Sequence, residues 1–405
     1  MTVLDELPFS FVEREGFRHF CSIASPKFDL PSRTTIARDI NQLYLDEKVV
    51  LKSMFSFNKK RVCVTTYCWT SIQNTNYMVV TAHFFNSGWE LHKRILNFCV
   101  LPNHKGETIG KIIEACLLDW SIDRVFTITV DNASANDVAI KYVKNKLSNW
   151  VADGIILECE FFYVRCCAHI LNPIVTEGLK DLRESIISIR NGVRYVRSSP
   201  SRLYKIKKCD EHEKIECKGN VILDVCTRWN FTYLMLGSDL KFQKAFERLE
   251  EKDGNYVSYF LEDESGKRKM GPPRFDDWET SRVFVKFLKK FYDATLKFSA
   301  SLSVTSNQYF QEVFSIQSEL IELSTNTDHF LGIMATSMKR NYDKYWGSIE
   351  SINKLLLISI VLDPRYKLDY VTFYFGYLYG NDKGEGMTKG FQYIGCEDFK
   401  QALGS

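Results

Sequence analysis

RVCVTTYCWTS, from Arg61 to Ser71, is the stretch whose reading decides the fold. Val, Cys and Thr predominate, and the run closes on an aromatic and a turn-prone Thr-Ser pair, the pattern of a short β-strand. Alternation places Cys63, Thr65 and Tyr67 on one face and Val64, Thr66 and Cys68 on the other. A second run, FTITVD from Phe126 to Asp131, has the same character and stops at a carboxylate followed by Asn132, Ala133 and Ser134. Laid side by side and parallel, the two strands bring their C-terminal ends to one sheet edge, where open α/β sheets place their sites. A metal-dependent phosphoryl-transfer site calls for an acid at the end of each strand. The first strand offers Tyr67.

Working outward, Tyr77–Phe85 and Ile95–Leu101 read as two further strands. The turn-like connections Ser71–Asn76 and Asn86–His92 join them to the first as an antiparallel meander. A helix is expected over Glu107–Trp120, then the strand Val125–Val130, a helix from Ser134 to Asn149 capped by Ser134, and a closing strand Phe161–Arg165. The order βββαβαβ implies a mixed sheet with helices on it, the order of the ribonuclease-H-like fold. The fold class is therefore α/β plus all-α, with this core spanning 58–165. Residues 1–57 read as a helical lead-in broken at Pro26 and Pro31, with Ser32 or Thr34 as the next cap. Residues 166–360 read as an all-α domain with amphipathic segments Ile170–Ser198, Thr227–Glu250, Trp278–Ala300, Tyr309–Thr325 and Asp328–Trp346. Cys209–Asn220 and Glu251–Arg274 read as loops between them. The tail, 361–405, is rich in Gly and Tyr near its end and is expected to be poorly ordered.

The 405 residues are enough for two or three domains with large cores, and 45% apolar content is that of a water-soluble globular chain. A net charge of +3 is too small to make the whole chain a polyelectrolyte ligand, so a nucleic-acid partner requires a local basic surface. Twelve cysteines without a CxxC pair imply thiols in a reducing compartment. No apolar run reaches transmembrane length, so a membrane partner is not expected.

Nine blocks in order carry a resemblance: LPFSFVEREGF, VTTYCWTS, NHKGETIG, TVDNASAND, RCCAHILN, CTRWN, VKFLKKFYDATLKFS, MKRNYDKYWG and LDPRYKL. Together they resemble hAT-superfamily transposases, specifically the plant zinc-finger BED group of daysleeper- and ricesleeper-like proteins. The resemblance covers Leu7 to Lys367. It implies a ribonuclease-H-like core around an inserted helical domain, DNA as partner, and a nuclear location. The Cys/His BED finger and the C-terminal dimerisation segment of that group are not matched in the chain.

In that family three carboxylates hold two divalent metals for DNA strand cleavage and transfer. The resemblance puts the second acid at Asp131 and the first at Tyr67, where the family reads TTD. A phenol, neutral near pH 7, does not supply the anionic oxygen Mg²⁺ prefers. The third, a glutamate, should follow LDPRYKL, but neither Glu385 nor Glu397 has matching surroundings. No cofactor is expected, Mg²⁺ being required only by an active enzyme, for which Asp137 is the substitute acid to check. Cys166-x-x-His169 is a zinc half-site without a second half; by resemblance His169 lies near DNA phosphate, and as a plain reading it is a buried histidine at a helix start. Arg228-Trp229 matches a family pair in which the tryptophan stacks near an unpaired base and the arginine meets the backbone. The alternative is a core tryptophan, and Phe231 crowds the family's small position. His104, Lys105 and Thr108 form a loop that can touch phosphate or simply meet solvent. Lys205, Lys207 and Lys208, with Arg197 and Arg202, make the best basic cluster.

These readings favour a transposase-derived DNA-binding protein with a degenerate DDE-type core that has lost catalysis. Self-association or association with related transposase-derived proteins is the other partner class. Two alternatives stand beside it: a protein-interaction scaffold or decaying element without DNA affinity, and an active metal-dependent transposase or nuclease.

Overall fold

The computed structural model describes residues 1–58, 60–150, 161–215, 219–225, 228–261, 269–300, 303–326, 329–348 and 352–389. After a 3₁₀ turn at Phe9–Glu13, α1 spans Glu15–Ala24 and α2 spans Arg33–Asn58. Between these helices lie both predicted proline breaks. Ser32 Oγ accepts the Thr35 N–H at 3.2 Å and supplies the expected cap for α2.

β1 (Val62–Thr70) buries Val62, Val64 and Thr66, the face opposite Tyr67, as alternation requires. β2 (Asn76–Phe85) is antiparallel to it, with Tyr67 opposite Val79 and Trp69 opposite Tyr77. β3 (Leu91–Val100) continues the meander, with a register shift at Val80/Thr81. α3 (Gly106–Asp119), β4 (Val125–Val130), α4 (Ala135–Leu147) and β5 (Tyr163–Arg165) follow. The five strands form one mixed sheet in the order β3-β2-β1-β4-β5, with β4 and β5 parallel. This is the predicted βββαβαβ order. β3 starts four residues earlier than expected because Leu91–Arg94 has no apolar alternation. It is an edge strand, and its charged Lys93 and Arg94 are exposed as edges require.

Two compact units are distinguishable. The first contains Met1–Phe126 and Val138–Ile155, the second Thr127–Asp137 and Ile156–Ser405. In the first, α3 buries Ile109, Ile113, Cys116 and Leu117. The Trp120 indole N–H donates to Leu96 O at 2.9 Å and fixes the end of α3 to β3. Gly110 lets α3 approach Tyr142 of α4, since a Cβ there would sit 2.8 Å from the ring. On the other face of β1–β3, Tyr67 stacks on Trp69 (5.6 Å, 16°), Trp69 on Tyr77 (5.7 Å) and Tyr77 on Phe98 (5.4 Å), an exposed or half-buried aromatic ladder.

The second unit is mostly helical. Its helices are α5 (Cys167–Asp181), α6 (Arg183–Arg197), α7 (Pro200–His212), α8 (Trp229–Asp239), α9 (Gln243–Lys252) and α10 (Gly254–Ser258), followed by α11 (Phe275–Phe298), α12 (Ser306–Ser324), α13 (His329–Trp346), α14 (Lys354–Val361) and α15 (Lys367–Tyr379). Leu171, Ile189, Leu288, Phe310 and Met338, all fully buried, belong to one core. Three expectations are corrected here. The segment Ile170–Ser198 is two helices, because the chain turns at the buried Leu182, with neither Gly nor Pro beside the break to announce it. The loop expected from Cys209 begins with the last turn of a helix not foreseen, α7, started by Ser199 as N-cap with Pro200 in first position.

The tail is the third correction. α15 and the helical residues 381–389 occupy much of what was expected to be poorly ordered. Val371 and Phe375 lie four residues apart and fully buried, with Phe375 against Phe310 and Phe314. The helical period is present but disguised by tyrosine. Upstream, the LDPRYKL block is a joint: Asp363 accepts Arg365 Nη2 at 2.6 Å, the Arg365 N–H at 3.0 Å and Asn307 Nδ2 at 2.9 Å. The arginine and the amide hold the Asp363 carboxyl well below the usual carboxylate range.

Candidate nucleic-acid interface

Asp131 leaves β4 and turns at once. Its Oδ1 accepts the Ala133 N–H at 2.9 Å and Asn136 Nδ2 at 2.6 Å, so the carboxylate holds the turn that starts α4. Asn136 itself is buried. The amide oxygen and nitrogen of Asn132 are buried with no partner among the described residues. One strand further, the Cys166 N–H donates to Val130 O at 2.9 Å and extends the β4–β5 ladder by one residue. Cys166 is the N-cap of α5, and His169 lies one turn in.

The interaction of the Cys166 side chain with His169 raises the His169 pKa against the effect of burial, and the charge of Asp131 adds to the rise. Burial opposes ionisation of Cys166, but His169 and the N–H groups of Ala168 and His169 outweigh it, and the thiol pKa falls. The structure thus brings Asp131, Cys166 and His169 into one electrostatic cluster. Sequence reasoning names all three but joins only the last two.

Tyr67 is 37% exposed, and its ring belongs to the aromatic ladder of the first unit. Where the resemblance implies a pair of divalent cations, the donors do not fit: one position carries a phenol, and the Asp131 carboxylate already accepts two hydrogen bonds. Among the described residues no three His, Cys, Asp or Glu side chains gather to share a cation. Asp137 is exposed, and its charge acts on Tyr163 and Arg165. Glu385 lies in the helical residues 381–389, 3.8 Å from Lys389, while Glu397 falls outside the described residues.

The basic residues divide into engaged and exposed. Lys205 Nζ is 2.9 Å from Asp253, a buried carboxylate that also accepts the Tyr195 hydroxyl. Arg197 donates to Val221 O at 2.8 Å, and Arg202 lies over the Tyr195 ring. Lys207 and Lys208 are exposed on α7, with Lys208 Nζ 4.9 Å above the Tyr204 ring. In the loop before α3, Lys105 is exposed and His104 reaches Thr70 at 3.4 Å, while Thr108 Oγ1, in the first turn of α3, donates to Asn103 Oδ1 at 2.9 Å.

Arg228 and Trp229 part company at the start of α8. Arg228 is exposed; Trp229 is 3% exposed and belongs to the helical core, a position from which it cannot offer a face to a base without repacking. Phe231 is exposed, so it crowds no internal pocket. α8, which begins just after Arg228, is tied to α6 through Thr232 and Asp224. Asp224 is clamped by Arg190 and by Thr232 Oγ1 at 2.7 Å, while the Ile222 N–H donates to Asp239 Oδ1 at 3.0 Å.

Comparison with known proteins agrees with this architecture. Three family models match in chain order: the ZBED1 RNase-like domain over residues 65–154, the ZBED1 RNase-like helical domain over 164–270, and the hAT-like transposase RNase-H fold over 307–395. The chain is similar to hAT-like transposases and to the plant zinc-finger BED proteins, and its sheet and helices are those of a ribonuclease-H-like core with a helical domain. It is 31% identical over 383 residues to Zinc finger BED domain-containing protein RICESLEEPER 2 of Oryza sativa subsp. japonica, covering 94% of this chain and 51% of that protein. To Putative AC transposase of Zea mays it is 32% identical over 385 residues, covering 94% and 45%. To DAYSLEEPER of Arabidopsis thaliana it is 26% identical over 390 residues, covering 96% and 53%. The chain therefore spans about half the length of the curated relatives it matches. No helix among the described residues is long and apolar enough to cross a membrane.

Proposed function

We propose that this chain is the core of a transposase-derived protein that binds DNA in the nucleus and does not cut it. The observation that carries the DNA half is Arg228, a solvent-facing cation at the N-cap of α8, the helix that Thr232 ties to the Arg190–Asp224 pair. A guanidinium presents a planar fork of donors that matches a phosphate. Lys207 and Lys208 extend the cationic surface on α7, and His169, protonated more readily than usual, adds to it. Lys205 is left out because Asp253 holds it, and Trp229 supports Arg228 from within the core rather than stacking on a base. Tyr67 and the hydrogen-bonded Asp131 support a role without cleavage, one that needs neither Mg²⁺ nor another cofactor.

The test is a salt titration of fluorescence anisotropy on a DNA duplex and a hairpin. Arg228→Ala and the double variant Lys207→Glu/Lys208→Glu should weaken binding and flatten the salt dependence by roughly one unit of slope for each phosphate no longer neutralised. Binding that is insensitive to salt, or unchanged in both variants, overturns the assignment; strand scission on adding Mg²⁺ overturns the non-catalytic half. One observation favours a protein partner in addition. α1 buries none of its residues, and Phe20, Val49 and Phe57 are 62%, 65% and 87% exposed, which suits association with a second copy or a related protein.

A further inference from the structure

The second unit contains a cavity of about 500 Å³, separate from the residues assigned to duplex binding. This is within the roughly 300–1,000 Å³ typical of small-ligand sites. Tyr163, Tyr309, Tyr345 and Trp346 contribute to its walls, and Tyr309 and Trp346 meet edge to face at 6.3 Å and 80°, both buried. Three cationic side chains, Arg165, Lys344 and Lys354, line it as well, and its described lining has no carboxylate. Arg165 and Lys344 are exposed, so the cationic side of the cavity opens to solvent. Asp137 acts on Arg165 from outside the lining.

The walls are preformed. Asn353 caps α14 by accepting the Leu355 N–H at 3.0 Å, and its Nδ2 donates to Phe161 O at 2.9 Å and Tyr163 O at 3.0 Å. One amide thus joins the strand side of the cavity to the helix side. The Arg165 guanidinium carbon is 5.6 Å from the Tyr163 ring centroid, and Nε donates to its hydroxyl at 3.2 Å, which fixes the cation beside the aromatic wall. The cavity also lies at the C-terminal end of β5, where α/β sheets place ligands.

Flat apolar walls with cations at the mouth select a ligand that is planar at one end and anionic at the other. We propose that this cavity binds a nucleotide, with the base against Tyr163 and Tyr345, the two half-buried rings of the lining, and the phosphate on Arg165 and Lys344. The nucleotide has two sources, a free mononucleotide or an unpaired nucleotide within a DNA strand. The site shares no residue with the surface at Arg228, so it does not depend on that reading.

The probe is a fluorescent adenine analogue, supplied as the deoxynucleoside, as its 5′-monophosphate, and as a single unpaired residue in an otherwise paired duplex. Binding by the intact chain should quench its emission by stacking. Lys344→Glu, an exposed change that leaves the core alone, should weaken binding of the monophosphate by roughly tenfold or more. Leu356→Trp, which fills the cavity, should abolish binding while circular dichroism shows the fold retained. If the monophosphate binds and the strand-borne residue does not, the source is free nucleotide; the reverse assigns it to DNA. Absence of quenching with both phosphate-bearing probes, equal binding of the deoxynucleoside or of phenyl phosphate, or indifference to Lys344→Glu would each overturn the site. Loss of duplex binding in Arg228→Ala with monophosphate binding intact separates the two proposals.

Discussion

Arg190 holds Asp224 through two parallel hydrogen bonds, Nε to Oδ1 at 2.8 Å and Nη2 to Oδ2 at 2.7 Å, across 34 residues of sequence. The carboxylate side chain is 1% exposed and the arginine 14%, so neither charge has water to fall back on. Arg190→Ala should cost about 3–5 kcal/mol in urea unfolding, because it strands a buried carboxylate. Burial alone would raise the Asp224 pKa, but Arg190 and Thr232 outweigh it, and the folded value lies below the unfolded one. The unfolded state then binds more protons in acid, so the pair's contribution is complete above about pH 4 and is lost as pH falls through the folded value. Arg190→Ala should remove that part of the acid destabilisation.

Asp239 behaves in the opposite sense. It is fully buried, Oδ1 accepts the Ile222 N–H, and Oδ2 has no partner among the described residues. Burial pushes its pKa well up. A folded pKa above the unfolded one means that stability falls as pH rises from about 4 toward the folded value. Asp239→Asn keeps the accepting oxygen and removes the charge, so it should stabilise by about 1 kcal/mol or more at neutral pH and by little at pH near 4. Denaturant midpoints at the two pH values measure this directly; an equal effect at both would rule out titration of Asp239 as the cause.

Arg228 and Trp229 should separate cleanly under mutation. Trp229→Ala removes a core ring and should cost about 3–5 kcal/mol, visible as a lower unfolding midpoint, with any loss of DNA affinity tracking the fraction unfolded. Arg228→Ala should leave the midpoint within about 0.5 kcal/mol while weakening DNA binding. A Trp229→Ala protein that is fully folded yet unable to bind would return the ring to the interface.

Cysteine reactivity offers a fourth measurement. Burial pushes the Cys116 thiol up to about 12, whereas Cys166 is lowered through its histidine neighbour. At neutral pH iodoacetamide should label Cys166 before Cys116, as read by peptide mass spectrometry, and His169→Ala should slow Cys166 several-fold. Equal rates with and without His169 would show that the imidazole does not govern the thiol.

The sheet is legible in sequence because β1, β2 and β4 alternate and the turns between them carry Asn, Ser and Thr. The edge strand β3 reads too short because its first four residues, Leu91–Arg94, serve an edge and carry charge. α7 escapes sequence reading for a related reason: SRLYKIKKCDEH has too few apolar residues to announce a period, and only Ile206 and Cys209 are buried. The carboxylate of Asp131 holding a turn is readable from Asp-Asn-Ala-Ser-Ala-Asn. Whether the tryptophan of an Arg-Trp pair faces in or out is decided by α11 and its neighbours, not by the pair. The aromatic cavity is out of reach of sequence, since its walls come from residues 161, 163–165, 170, 309, 344–346, 352–354 and 356, brought together only by folding.

The aromatic ladder of β1–β3 bears on what position 67 can hold. Tyr67 does not stand alone; its ring lies on Trp69, Trp69 lies on Tyr77, and Tyr77 on Phe98. An aspartate at this position would place a charge at the end of a row of stacked rings and take away the ring that terminates it. The packing of the row therefore works against an acid at this strand end. A carboxylate would become tolerable only after changes in its neighbours, at Trp69 or Tyr77 first.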